Sequence, residues 1–269
     1  MPIWTAWLTS LLIAILISSG VLRGESIPVR YPEGSVHGYL ALRTLDGKLI
    51  AAADLIQTIH GQRVVSRLVY RFKDGSIDDD TAIFSQRGHF RLLSDHRLQR
   101  GPMFPQQLDV AIDAVSGQVT VRSQDKGEEE KVETSHMDLP PDLSNGILLY
   151  VLKNVSPKTP EMQMSYLATT PKPRLIHLSV KPEGEDTFMS AGRPNKAVRF
   201  VVHVEIGGLT GVIAPLIGKE PPDTRVWIGA GEVPAFIKSE EPLYEGGPMW
   251  RTELISPVLR GTQGEVRKR

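Results

Sequence analysis

Residues 139–154 read LPPDLSNGILLYVLKN, an apolar run that is helix or strand according to what bounds it. Pro140 and Pro141 stop any preceding strand, and Asp142 or Ser144 can cap a helix N-terminus. Leu143, Ile147, Tyr150 and Val151 then recur at helical spacing, and Lys153 and Asn154 supply a polar ending. The run ILLYVL is apolar on its other sides too, a pattern a short buried strand shares. The prolines, the cap and the ending decide for a helix over about 142–154. A helix apolar nearly all round has to be enclosed rather than lie on a surface.

The flanks say what encloses it. In RVVSRLVYRFK (63–73), Ser66, Leu68, Tyr70 and Phe72 share one face, while Val65, Arg67, Val69, Arg71 and Lys73 share the other. That alternation is the period of a half-buried strand. KLIAAADLIQTIH (48–60) precedes it through HGQR, and KDGS (73–76) makes the next turn with the Asp-Gly pair that hairpins favour. LDVAIDAVSGQVTVRS (108–123) reads as another hairpin with Ser-Gly at its bend. The second half repeats the style. PRLIHLSVK (173–181) aligns Ile176, Leu178 and Val180, and KAVRFVVHVEI (196–206) aligns Val198, Phe200, Val202, Val204 and Ile206 inward, with Arg199, His203 and Glu205 outward. TRVWIG and MWRTELI close the sheet. The expected fold is mainly β: a strongly curved antiparallel sheet, an unclosed half-barrel, with one helix (about 142–154) packed in its concave face.

At 269 residues, a single β-rich domain over 25–258 is in proportion. Lys plus Arg (31) balance Asp plus Glu (31), so no net charge draws the chain to nucleic acid or to an anionic membrane. The uncharged run IWTAWLTSLLIAILISSGVL (3–22), ending in small residues before RGES, has the character of a secretory signal peptide over 1–24. It is also long enough to span a bilayer as a retained anchor. Both readings put the remainder outside the cytoplasm: periplasmic or secreted, or anchored in the inner membrane facing the periplasm, with membrane contact only through that segment. With no cysteine, disulfides, thiolate metal sites and a lipid-bearing N-terminal cysteine are excluded. GTQGEVRKR, within 259–269, reads as a disordered basic tail.

The order of a leader, a meander, the DAVSGQV hairpin, a Pro-flanked Leu-rich helix and more strands ending in VWI resembles uncharacterised bacterial periplasmic half-barrel proteins. Their shape is similar to that of the lipoprotein carriers LolA and LolB, whose unclosed barrels hold lipid. The resemblance covers about 35–258 and implies a hydrophobic cavity, without naming its ligand.

Chemistry-bearing motifs are few. There is no G-x-S-x-G elbow, H-E-x-x-H, P-loop or G-x-G-x-x-G, so the sequence points to no enzyme, no metal site and no cofactor. DGSIDDD (74–80) clusters carboxylates, but its order is not that of a calcium loop, and a solvated hairpin turn is the expectation. RGHFRLLSDHRLQRG (87–101) offers Arg87, His89, Arg91, His96, Arg97 and Arg100 as an anion patch, or as the charged outer face of an exposed strand. His177 and His203 are expected to be solvated. GEVPAFIKSEEPLYEGGPMW (231–250) reads either as a mouth loop over a cavity or as a packed long connection.

Function therefore rests on architecture. The chain is expected to be a non-enzymatic envelope protein holding a hydrophobic ligand or lipid, or engaging an envelope protein. The residues expected to line the ligand space are Leu68, Tyr70, Phe72, Ile147, Val151, Phe200 and Val202. The alternatives are an interaction scaffold whose helix and side chains fill the concave face, and an unrecognised hydrolase.

Overall fold

The computed structural model describes residues 26–170, 172–190, 192–205 and 221–255. The leader, the basic tail and Ile206 of the inward row lie outside the described residues. Fourteen strands form one sheet in which every paired neighbour is antiparallel. The first half supplies β1 (Val36–Thr44), β2 (Leu49–His60), β3 (Arg63–Phe72), β4 (Ile77–Ser85), β5 (Arg91–Arg100), β6 (Gln106–Asp113), β7 (Gln118–Asp125) and β8 (Lys131–His136). The second half supplies β9 (Met162–Ala168), β10 (Arg174–Ser190), β11 (Arg193–Glu205), β12 (Thr224–Gly229), β13 (Ala235–Glu241) and β14 (Trp250–Leu254).

Each half is a meander, and the two join where β14 pairs with β1, Leu42 standing opposite Thr252. That leaves β8 and β9 at the two ends of the sheet, which is not closed into a barrel. The turns follow local chemistry. Gly75 of KDGS sits at φ 86°, and the Phe72 carbonyl accepts from its amide at 3.2 Å. At the β6–β7 turn Asp113 Oδ1 accepts from the amides of Val115 (2.9 Å) and Ser116 (3.0 Å), an Asx turn. Gly117, at φ 78°, ends that turn with the Met137 carbonyl 2.2 Å from where a Cβ would stand.

One helix, α1 (Leu148–Leu152), lies in the connection from β8 to β9. It is shorter than the expected 142–154, and neither Asp142 nor Ser144 caps it; the residue before it is Ile147, with no side-chain cap. Those polar side chains seal the edge of β9 instead. The Asp142 carboxylate accepts from the Ser165 amide (2.9 Å) and hydroxyl (2.8 Å). The amide and hydroxyl of Ser144 both donate to the Ser165 carbonyl. The Asn145 side chain accepts from the Leu167 amide at 2.8 Å and donates to the Leu167 carbonyl at 3.0 Å, as a neighbouring strand would. An edge left unpaired is a liability, and here a loop covers it. Gly146, at φ 63°, then turns the chain into α1.

Past α1, Lys153 pairs with Glu33 at 2.5 Å. Asn154 Oδ1 accepts from the amides of Arg30 (2.7 Å) and Tyr31 (2.8 Å), tying the N-terminal segment to the plug. Two apolar clusters hold the sheet. The larger packs Ile147, Val151 and Leu152 between strands of both halves, among them Val64 and Phe84 on one side and Val180, Phe200 and Ile228 on the other. The smaller, around Leu42, Phe72, Phe104 and Trp250, lies at the β1–β14 junction.

Candidate functional site: a part-apolar cavity with an acidic floor

The concave face is only partly filled. A cavity of about 1230 Å³ remains, with walls drawn from both clusters: Leu40, Tyr70 and Leu243 from one, Tyr150, Leu178 and Val202 from the other. Of the residues expected to line it, Leu68, Tyr70 and Val202 do. Phe72 belongs to the smaller cluster, and Ile147, Val151 and Phe200 are buried in the larger. The plug residues that reach the cavity are Leu148, Leu149 and Tyr150 of α1, with Ser144, Gly146 and Lys153 beside them. Tyr150 also crosses to hydrogen-bond Ser66. Its phenol is pushed up from the ordinary tyrosine range by burial.

The polar part of the cavity corrects two sequence expectations. Asp74 does make the turn, accepting from the Ser76 amide at 2.9 Å. The three aspartates after it are strand residues of β4, not a solvated turn. Asp79 faces out to Arg67, while Asp78 and Asp80 face in with Ala82 and Phe84. On β5, His96 faces out to Asp109 at 2.9 Å, as an outer-face residue should. Arg97 does not. It stands opposite Asp80 and lines the cavity.

The parity change has a local cause. Ile83 pairs with Ser94 and Phe84 with Leu92, so Leu93 is an extra residue in β5. Such a bulge flips which alternate residues point inward. Past it, Asp95, Arg97 and Gln99 are set opposite Ala82, Asp80 and Asp78.

Arg97 is held by a fork. Its Nε and Nη2 donate to the two oxygens of Asp78 at 3.0 and 2.8 Å, and Nη2 also reaches the Leu243 carbonyl at 2.8 Å. Gln99 donates to the same carboxylate and the same carbonyl. Asp78 is 2% exposed, so the pairing is what lets its charge stay inside.

Asp80 and Asp95 feel the Arg97 charge but make no ion pair among the described residues. Oδ1 of each is sealed from solvent without a donor among the described residues. Burial raises both carboxyls above the ordinary range, Asp95 furthest, with the neighbouring Asp80 charge adding to the rise. A proton on Asp95, donated to Asp80, satisfies the pair. Across the cavity, on β13, Glu241 is raised by burial as well, and its carboxylate accepts from the Ser239 hydroxyl at 2.8 Å. Tyr166 projects from β9 into the field of Arg97, Asp95, Asp80 and Glu241. Burial pushes its phenol up to about 12.

The segment 231–250 is neither one mouth loop nor one long packed connection, because 235–241 form β13. Phe236 and Tyr244 line the cavity and Trp250 is buried in the smaller cluster. Of the two histidines expected to be solvated, His203 is exposed at its side chain and His177 is only half-buried. His203 contacts Asp223 at 2.8 Å, and the Nδ1 of His177 is sealed from solvent. No grouping of His, Cys, Asp and Glu suited to a metal ion exists among the described residues.

No family model and no curated protein matches the chain. Among solved structures it is similar to a beta-barrel-like protein of domain of unknown function DUF1849 from Brucella abortus, at 8% identity and a TM-score of 0.42, over 83% of this chain and 98% of that one. That likeness sets the chain beside a barrel-like protein of unknown function and does not tie it to the lipoprotein carriers.

Proposed function

We propose that the protein is an exported, non-enzymatic binder that holds the apolar body of a ligand in the trough of its half-barrel, in the manner of a lipid carrier. One observation carries this reading: a cavity of about 1230 Å³ stays open in the concave face although a plug occupies part of it. Small-molecule sites usually measure ~300–1,000 Å³, so the space suits a long or branched apolar body. Its lining of Leu55, Leu68, Leu178, Val202 and Phe236 offers the contact such a body needs. Export rests on the uncharged 3–22 run. A scaffold filled by its own side chains would pack at interior density and leave no such space.

The test is a titration of the folded chain with a neutral naphthylamine probe that fluoresces in apolar surroundings. Saturable binding, weakened when Leu68→Trp fills the cavity while the melting temperature holds, supports the reading. Uptake only as the protein melts would reject it in favour of the scaffold.

A further inference from the structure

The charges around the cavity are unequal, and the inequality bears on the ligand's head. The carboxyls of the lining outnumber its cations, which are Arg97, Lys153 and Arg174. Two cations are already matched, Arg97 by Asp78 and Lys153 by Glu33. Arg174 donates to the backbone carbonyls of Thr170 and Lys172. What remains on the floor is Asp80 with its partner Asp95, Glu241, whose carboxylate takes only the Ser239 hydroxyl among the described side chains, and Tyr166. Asp80, Glu241 and Tyr166 line the cavity from β4, β13 and β9, three strands from both halves of the sheet, with Asp95 of β5 behind Asp80.

Resting on the reading of the cavity as an apolar-ligand site, we propose that its ligand is a cationic amphiphile, an amine-bearing apolar chain whose ammonium is received by Asp80, Glu241 and Tyr166. An ammonium has three donors and no acceptor, which matches a floor short of donors. An anionic head would meet three inward carboxyls and an arginine whose fork is already occupied by Asp78. A neutral hydroxyl could bond to the floor, but without the charge-assisted part of the attraction.

Chains of one length with different heads test this: dodecylamine, dodecanol and dodecanoate, each below its micelle concentration, displacing the neutral naphthylamine probe from the full chain near neutral pH. The expected order is amine, then alcohol, then carboxylate, the amine binding roughly tenfold or more tighter than the alcohol. In the isosteric double variant Asp80→Asn, Glu241→Gln, the amine should fall to the alcohol's affinity while the alcohol keeps its own. Equal binding of amine and alcohol, or tighter binding of dodecanoate, overturns the head-group assignment and leaves the cavity reading standing. Displacement by none of the three overturns both. A double variant that retains the amine's advantage places the cation elsewhere and overturns the assignment to Asp80 and Glu241.

Discussion

Replacing Asn145 with alanine removes a side chain that stands in for a β-strand. Its amide group satisfies both backbone groups of Leu167, at 2.8 and 3.0 Å, on a residue 1% exposed. The variant strands an N–H and a C=O in a place water reaches poorly. Each such orphan costs about 1–3 kcal/mol, so two amount to about 2–6 kcal/mol. The neighbouring ties of Asp142 and Ser144 to Ser165 hold the segment in place, and slight relaxation favours the lower half, about 2–4 kcal/mol. Against a total of about 5–15 kcal/mol for a typical domain, that is a large loss. Ser144→Ala is the internal control. Its amide still donates to the Ser165 carbonyl at 2.9 Å when the hydroxyl is gone, so its cost is about 0.5–1.5 kcal/mol. Urea unfolding followed by tryptophan fluorescence reads both, with the denaturant slope expected to stay constant. If Asn145→Ala loses no more than Ser144→Ala, the amide does not seal β9 and the account of why α1 is short is wrong.

Three further outcomes follow from the same packing. Val151→Asp puts a carboxylate where Val151 is 4% exposed, and a loss of several kcal/mol or outright unfolding is expected in a thermal melt; wild-type stability would mean the plug is not buried. Gly61→Ala and Gly146→Ala share a φ near +64° (64 and 63), but only at Gly146 would the new Cβ meet Asp95 Oδ1 (2.5 Å) and Ala82 Cβ (2.7 Å). Gly146→Ala should therefore be the costlier by about 1–3 kcal/mol, and equal losses would deny the contact between plug and wall. The third concerns pH. Asp95 has a folded-state pKa above its unfolded value, so its contribution is full below the ordinary aspartate range near ~4 and is lost as pH rises toward the folded value. Asp95→Asn should gain stability relative to wild type as pH rises from that range, measured by urea unfolding at successive pH values. A relative stability that stays flat or falls removes the buried-proton account.

The apolar half of the site was legible from alternation. Strands such as RVVSRLVYRF and KAVRFVVHVE present one face to the trough, and Leu68, Tyr70 and Val202 fall on it without further information. Phe72 and Phe200 share those faces, and Ile147 and Val151 the plug, but all four lie where the clusters close, and no pattern along one segment tells a packed inward residue from one facing a void. The acidic half was partly legible. Three consecutive aspartates suggest a turn because aspartate is poor in strands. Yet the alternation Asp78, Asp80, Ala82, Phe84 had already placed two of them with core residues. Arg97 was hidden for another reason: the extra Leu93 reverses the parity of β5, and a bulge is a property of the pairing, not of the strand's own sequence. The fate of Asp142, Ser144 and Asn145 depends on a strand edge some twenty residues onward, as the Asn145–Leu167 separation of 22 shows.

The short helix and the acidic floor fit one description. A plug over 142–154 would run about 20 Å along the trough at ~1.5 Å per residue. The five residues of α1 run about 7.5 Å, whereas β3 alone, at ten residues, runs about 33 Å. The segment that could have lengthened the helix is committed to β9, so the sheet cannot be filled by its own plug and the cavity follows from the connectivity. The groups facing that space are not what a self-filling core would use. Apolar side chains in place of a buried ion pair are commonly neutral or stabilising, and lone buried carboxyls resist ionisation. Asp80, Asp95 and Glu241 thus lower the stability of the folded state at neutral pH. A scaffold has no use for that arrangement. A site that takes up a positive charge does, because the cation pairs with those carboxyls as they give up their protons to solvent, so its uptake strengthens as pH rises.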